Sequence, residues 1–135
     1  MADAAAQGPT LVIVRSTNGF TFGGYAAAAW HNNNACIRAA GSFVFWVENP
    51  QGRAPGCLDC AMPANALFGG CNSAYGPMFD AATGNGCMYI CSSNNPATSQ
   101  IAPTPTYPDT TGLGVALFTG AFKFTLEDYE VWAVT

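Results

Sequence analysis

Two cysteines, Cys57 and Cys60, stand in a Cys-x-x-Cys spacing within "CLDC", close enough in sequence for two thiolates to share a metal ion or to form a redox pair. The chemistry would need more than these two. Cys71, Cys87 and Cys91 follow at irregular intervals, Cys36 precedes the pair, and the single histidine, His31, stands in the Asn-rich stretch "HNNNA". A closed tetrahedral site would therefore require three separated loops to converge, so the residues favour small buried thiols over a metal or redox centre. No cofactor is expected. Cys87 and Cys91, four apart on one face of an extended segment, would lie about 13 Å apart at ~3.3 Å per residue, too far for a mutual disulfide; core packing is the expected role of both.

The remaining chemistry-bearing groups are the acids near the C-terminus, Glu127, Asp128 and Glu130 in "FTLEDYEVWAV". Paired carboxylates can do acid–base work, but that needs a cleft and a substrate-reading shell that the sequence does not show. Glu127 and Asp128 read as a solvent-facing turn and Glu130 as part of the last strand. A triad cannot be drawn from one loop histidine without a neighbouring nucleophile and an orienting carboxylate. Gly23-Gly24 is followed by neither a helix nor a phosphate-loop lysine, so it marks a bulge or a close sheet contact, not a nucleotide site.

The elements that position these groups are strands. Half of the 135 residues are hydrophobic and only 9% are charged, with 15 glycines and 9 prolines, a composition that suits short strands joined by turns. The length fits one domain, residues 1–135. Four Lys plus Arg against eight Asp plus Glu give a net charge of -4, which leaves no basic footprint for nucleic acid. "MADAAAQGPT" lacks the features of a secretory signal, and no apolar run reaches the ~20 residues of a membrane-spanning helix. These features predict a cytoplasmic protein with free thiols.

Along the chain, Thr10 to Ser16 is a strand, Asn18-Gly19 predicts a type I′ hairpin turn, and Phe20 to Trp30 is the return strand. The strand reading overrides the helical propensity of "YAAAAW". "SFVFWVE", Ser42 to Glu48, is the best core strand and ends in the turn "NPQG". A loop holding "CLDC" follows. "NALFGG" and "CMYICS" read as short strands flanking the turn-rich "SAYGPMFDAATGNG". Residues 94–112, rich in proline, read as an extended surface loop. Phe122 to Leu126 alternate, a turn follows, and Tyr129 to Val134 form the last strand.

In this order "GPTLVIVRSTNGFTFGGY", "FVFWVENPQ", "SAYGPMFD", "CMYICSSNN" and "FTLEDYEVWAV" closely resemble the TLDc domain family, whose members show a Gly-Pro-Thr-Leu opening, a Phe-Gly-Gly-Tyr strand, a Tyr-Gly-Pro-x-Phe loop and a Glu-Val-containing last strand. The resemblance runs from about Gly8 to the C-terminus. It implies a mainly β fold, an antiparallel β-sandwich of two sheets with little helix, in a eukaryotic protein-interaction domain without a settled catalytic site. It further implies a link to oxidative-stress resistance and binding to the vacuolar proton-pumping ATPase; the acidic balance of the chain, suited to a basic patch on a partner, makes Glu127, Asp128 and Glu130 the partner-binding residues expected here. The alternatives are a thiol-based antioxidant or peroxide-reactive protein using Cys57 and Cys60, and a structural accessory subunit of a large assembly. Members of the family carry a helix-containing segment before Gly-Pro-Thr-Leu, where this sequence has "MADAAAQ". The expected consequence is exposed apolar surface or an open sheet edge that favours a homodimer or a partner strand.

Overall fold

The computed structural model describes residues 8–29, 36–68, 75–80, 87–91 and 99–134. Two antiparallel sheets stack face to face. The first is built from β1 (Thr10–Ser16), β2 (Thr21–Ala26), β4 (Phe43–Glu48), β5 (Gly56–Asp59) and β11 (Leu126–Ala133), in the spatial order β11-β1-β2-β4-β5. The second holds β3 (Cys36–Ile37), β6 (Leu67–Phe68), β7 (Tyr75–Phe79), β8 (Met88–Cys91), β9 (Ser99–Ile101) and β10 (Lys123–Phe124), in the order β10-β9-β8-β7-β6-β3. The only helical segments among the described residues are two 3₁₀ turns, Pro63–Asn65 and Gly114–Ala116. The chain forms the mainly β, two-sheet sandwich that the resemblance implied, built from the short strands that the composition suits.

Alternation explains the core. Val12 and Val14 on β1, Phe22 and Ala26 on β2, Val44 and Trp46 on β4 and Leu58 on β5 all point between the sheets, where they join Leu67, Phe79, Met88, Ile101 and Phe124 of the second sheet in one buried cluster. Burying each large side chain contributes roughly 1.5–3 kcal/mol. Gly24 belongs to the same inward set, and the ring of Phe79 fills the space a Cβ would occupy, within 2.6–2.9 Å of it. The double glycine is a close sheet contact; the register of β1 and β2 runs through it unbroken.

The first hairpin differs from the type I′ expectation. Gly19 has φ 93°, whereas Asn18 is not among the residues with positive φ. The Gly19 N–H donates to the Ser16 carbonyl and the Ser16 N–H to the Phe20 carbonyl, both at 3.0 Å. This makes a three-residue loop closed by a left-handed glycine, the next most common hairpin solution. The return strand ends at Ala26, short of the expected Trp30, because the Ala27 N–H is taken by Ser42 Oγ at 3.0 Å instead of the ladder. Ala27 and Ala28 then pack against the core.

Five further segments depart from the sequence reading. "CLDC" supplies most of strand β5, whose Leu58 sits opposite Val44; a single inward leucine was too little periodicity to reveal it. "YGPMF" is strand β7, and its register shifts between Tyr75 and Met78, which lets the strand accommodate Pro77 at an irregularity. Residues 94–112 contain β9, and Thr106 and Tyr107 beyond it are buried. The Tyr107 hydroxyl donates to the Ala66 carbonyl at 2.6 Å and Thr106 Oγ1 to Asp80 Oδ1 at 3.0 Å, so this proline-bearing segment plugs one end of the core. Within "NALFGG" the described strand is Leu67–Phe68, preceded by the turn Pro63–Asn65, while Gly69 and Gly70 lie outside the described residues. Finally, no turn separates Leu126 from Tyr129. Thr125 carries the chain from the second sheet to the first, and β11 runs unbroken from Leu126 to Ala133.

Candidate protein-contact surface

β1 and β11 pair over the full length of β1, and their register assigns the acids. Ile13 stands opposite Glu130, Arg15 opposite Asp128, and Ser16 opposite Leu126. One residue is left over, Glu127, which forms a bulge; extra residues of this kind re-aim side chains at sheet edges. Glu127 and Asp128 are therefore strand residues and not the solvent-facing turn that the sequence suggested. Their bulge brings Arg15 Nε within 3.8 Å of Glu127 Oε2, with both side chains about half exposed, a pair worth little on its own.

Together these residues wall a shallow depression of ≈ 430 Å³ lined by Ile13, Arg15, Thr21, Glu127, Asp128, Tyr129 and Glu130. Three carboxylates face one guanidinium there, leaving the depression anionic. Among the described residues β11 is the last strand at one side of the first sheet. Leu126, Tyr129 and Val131 pack inward against the core while Glu127, Asp128, Glu130 and Trp132 are exposed. The structure thus gathers the three sequence-predicted acids at one place and adds Ile13, Arg15 and Thr21, which sequence reasoning missed.

It also missed the surface beside them. Register places Trp132, Leu11, Tyr25 and Phe43 in one row across the outer side of the first sheet, and Ile13 and Phe45 in the next. Tyr25 stacks on Phe43 with centroids 5.3 Å apart. Trp132 is 55% exposed and Val47 43%. The signal was present in "TLVIV" and "FVFWV": an uninterrupted apolar run is the pattern of a strand apolar on both faces, not of one with a solvated outer face.

Cys57 and Cys60 do not converge; Cys60 instead lies near Cys87, Asp80 and Tyr107. Cys57 points to the outer side, where its thiol donates to Asp59 Oδ1 at 3.8 Å, whereas Cys60, three positions on, packs against the core. Three residues at ~3.3 Å each separate their Cα atoms by about 10 Å, beyond the roughly 4.4–6.8 Å that a disulfide spans. Cys36, Cys57, Cys60 and Cys87 are free thiols. Desolvation raises the Cys57 thiol above its ordinary range, with the Asp59 charge and hydrogen bond adding to it, and burial raises Cys60. Cys87 is fully buried and raised furthest, again by desolvation first and the Asp80 charge second. A protonated thiol is a poor nucleophile and a poor metal ligand. The packing role expected of Cys87 is realised, and the side chain of Cys91 lies outside the described residues, as do His31 and Cys71. Among the described residues no group of three or more His, Cys, Asp or Glu side chains is placed to hold a metal ion, and no helix is long and apolar enough to cross a membrane.

Comparison with curated proteins gave no match. The family model of the TLDc domain matches residues 1–135, in agreement with the order of motifs and with the two-sheet sandwich. The chain belongs to the TLDc domain family.

Proposed function

We propose that this chain is a non-catalytic protein-interaction domain whose partner is the cytosolic apparatus of the vacuolar proton-pumping ATPase. The TLDc match over the whole chain carries the reading. The molecular surface supports it: a rigid sheet presents an anionic edge at Glu127, Asp128 and Glu130, suited to steering a basic patch on a partner. In this reading the protein works in the cytoplasm of a eukaryotic cell and contributes to oxidative-stress resistance through its partner, not through its own thiols. The Cys57/Cys60 antioxidant alternative draws no support from two thiols that point to opposite sides of a strand.

The test is capture of the pump from native cytosol and vacuolar membranes by the tagged chain. Pump subunits are expected with the wild type, and changing Glu127, Asp128 and Glu130 together to lysine is expected to reduce capture at least about tenfold, corresponding to a loss of about 1.4 kcal/mol. A different stoichiometric partner with no pump subunit would remove the pump assignment, and undiminished capture by the lysine variant would remove the acidic edge as the contact.

A further inference from the structure

The outer side of the first sheet combines two features that the acidic edge alone does not explain. One is the aromatic and aliphatic row Trp132, Leu11, Tyr25 and Phe43, backed by Ile13 and Phe45. The other is the sign of the charges that the strand register places around it. Asp59 lies opposite Phe43 at one end of the row. Glu48 accepts a hydrogen bond from Thr21 Oγ1 at 3.4 Å, and Glu127, Asp128 and Glu130 flank β1. Five carboxylates surround the apolar row and a single guanidinium, Arg15, accompanies them. Trp132 is exposed and Leu11, Ile13, Tyr25, Phe43 and Phe45 are half-buried; an apolar patch with a polar rim marks a protein contact site, and here the carboxylates give the rim essentially one charge.

We infer that this outer face docks a basic amphipathic helix of a partner protein, its apolar stripe on the Trp132–Leu11–Tyr25–Phe43 row and its lysines and arginines over Asp128, Glu130 and Glu48. The inference rests on the interaction-domain reading above and names the chemistry of the partner. The dimensions agree, because five strands about 4.8 Å apart present a face ~19 Å across, and a helix of about 13 residues is about as long. A sheet face buries its apolar side chains by accepting another layer. The alternatives are disfavoured by charge. Two copies stacked through this face would set five carboxylates against five, with only two guanidinium groups between them. Anionic lipid would meet the same repulsion.

The probe is a synthetic Leu/Lys peptide with helical periodicity, titrated into the full chain by fluorescence anisotropy. Controls are the same pattern in Leu/Glu and a scrambled Leu/Lys sequence. The patterned Leu/Lys peptide is expected to bind at least about tenfold more tightly than either control, and Trp132→Ala and Asp128→Lys are each expected to weaken it several-fold. Both positions are exposed on β11, the last described strand at one side of the sheet, so the variants keep their fold, which circular dichroism and an unchanged thermal midpoint verify. Binding that neither variant alters, or no preference over the controls, overturns the inference. So does dilution-sensitive self-association, or attachment to phosphatidylserine vesicles, that Trp132→Ala abolishes. The outcomes separate the two readings. Peptide binding without pump capture removes the pump and leaves this face, whereas pump capture that Trp132→Ala does not disturb removes this face and leaves the pump.

Discussion

Replacing Phe22 with alanine is expected to cost about 3–5 kcal/mol, the largest loss anticipated from truncating one side chain of this fold. Phe22 is fully buried at the centre of the first sheet and meets two rings that approach from outside its own strand pairs. Phe124 of β10 stands edge-on at 5.1 Å, and Phe118, in the segment between β9 and β10, at 5.8 Å. Such pairs contribute about 0.5–1.5 kcal/mol beyond their buried area. The mutation would therefore remove transfer energy, leave a cavity and release both aromatic contacts at once. Against a total stability of about 5–15 kcal/mol, the denaturation midpoint in urea should fall by about a fifth or more. A loss below about 1 kcal/mol would mean that the two sheets are not joined through this ring.

Gly24→Val tests the opposite failure, too much volume. The Phe79 ring already lies 2.6–2.9 Å from the position of a Cβ on Gly24, closer than unstrained carbon contacts of about 3.5–4.0 Å. Elsewhere in a strand, replacing glycine is often favourable because it restricts the unfolded chain and raises β propensity. Here overpacking wins, and a cost at or above the upper end of about 1–3 kcal/mol is expected. The cause can be isolated. Phe79→Leu should be destabilising alone, yet in the Gly24→Val background it should recover part of the loss, giving a coupling of at least about 1 kcal/mol in a double-mutant cycle. Simple additivity would show that the cost arises elsewhere than at Phe79.

These two positions also show what was legible in the sequence. Alternation in "TLVIVRS" and the apolar run "FVFWVE" locate β1 and β4, and the glycine pair announces close packing, because each is a local pattern with a local cause. The strands that escaped detection owe their existence to partners distant in sequence. β5 is held by pairing to β4, β7 carries a proline tolerated at a register shift, and β9 is a three-residue rung between β8 and β10. Tyr107 is buried inside a proline-rich stretch because Ala66 offers its hydroxyl an acceptor. The acidic residues were visible, but the bulge that aims Glu127 toward Arg15 depends on a register that only the β1–β11 pairing reveals. Likewise, Cys-x-x-Cys spacing suggests a chelate on a turn; on a strand its two side chains diverge.

Hydroxyl-radical footprinting of the chain, free and bound to the cytosolic sector of the vacuolar proton pump, tests the central claim that the outer face of the first sheet is the contact surface. Trp132, 55% exposed in the free chain, is the most sensitive reporter, with Tyr25 and Phe43 beside it in the same row. The account predicts that oxidation of Trp132 falls at least about fivefold in the complex, that Tyr25 and Phe43 are protected with it, and that Met62, exposed beside Thr106, is oxidised at the same rate free and bound. A stable complex in which Trp132 is oxidised as fast as in the free chain would contradict it.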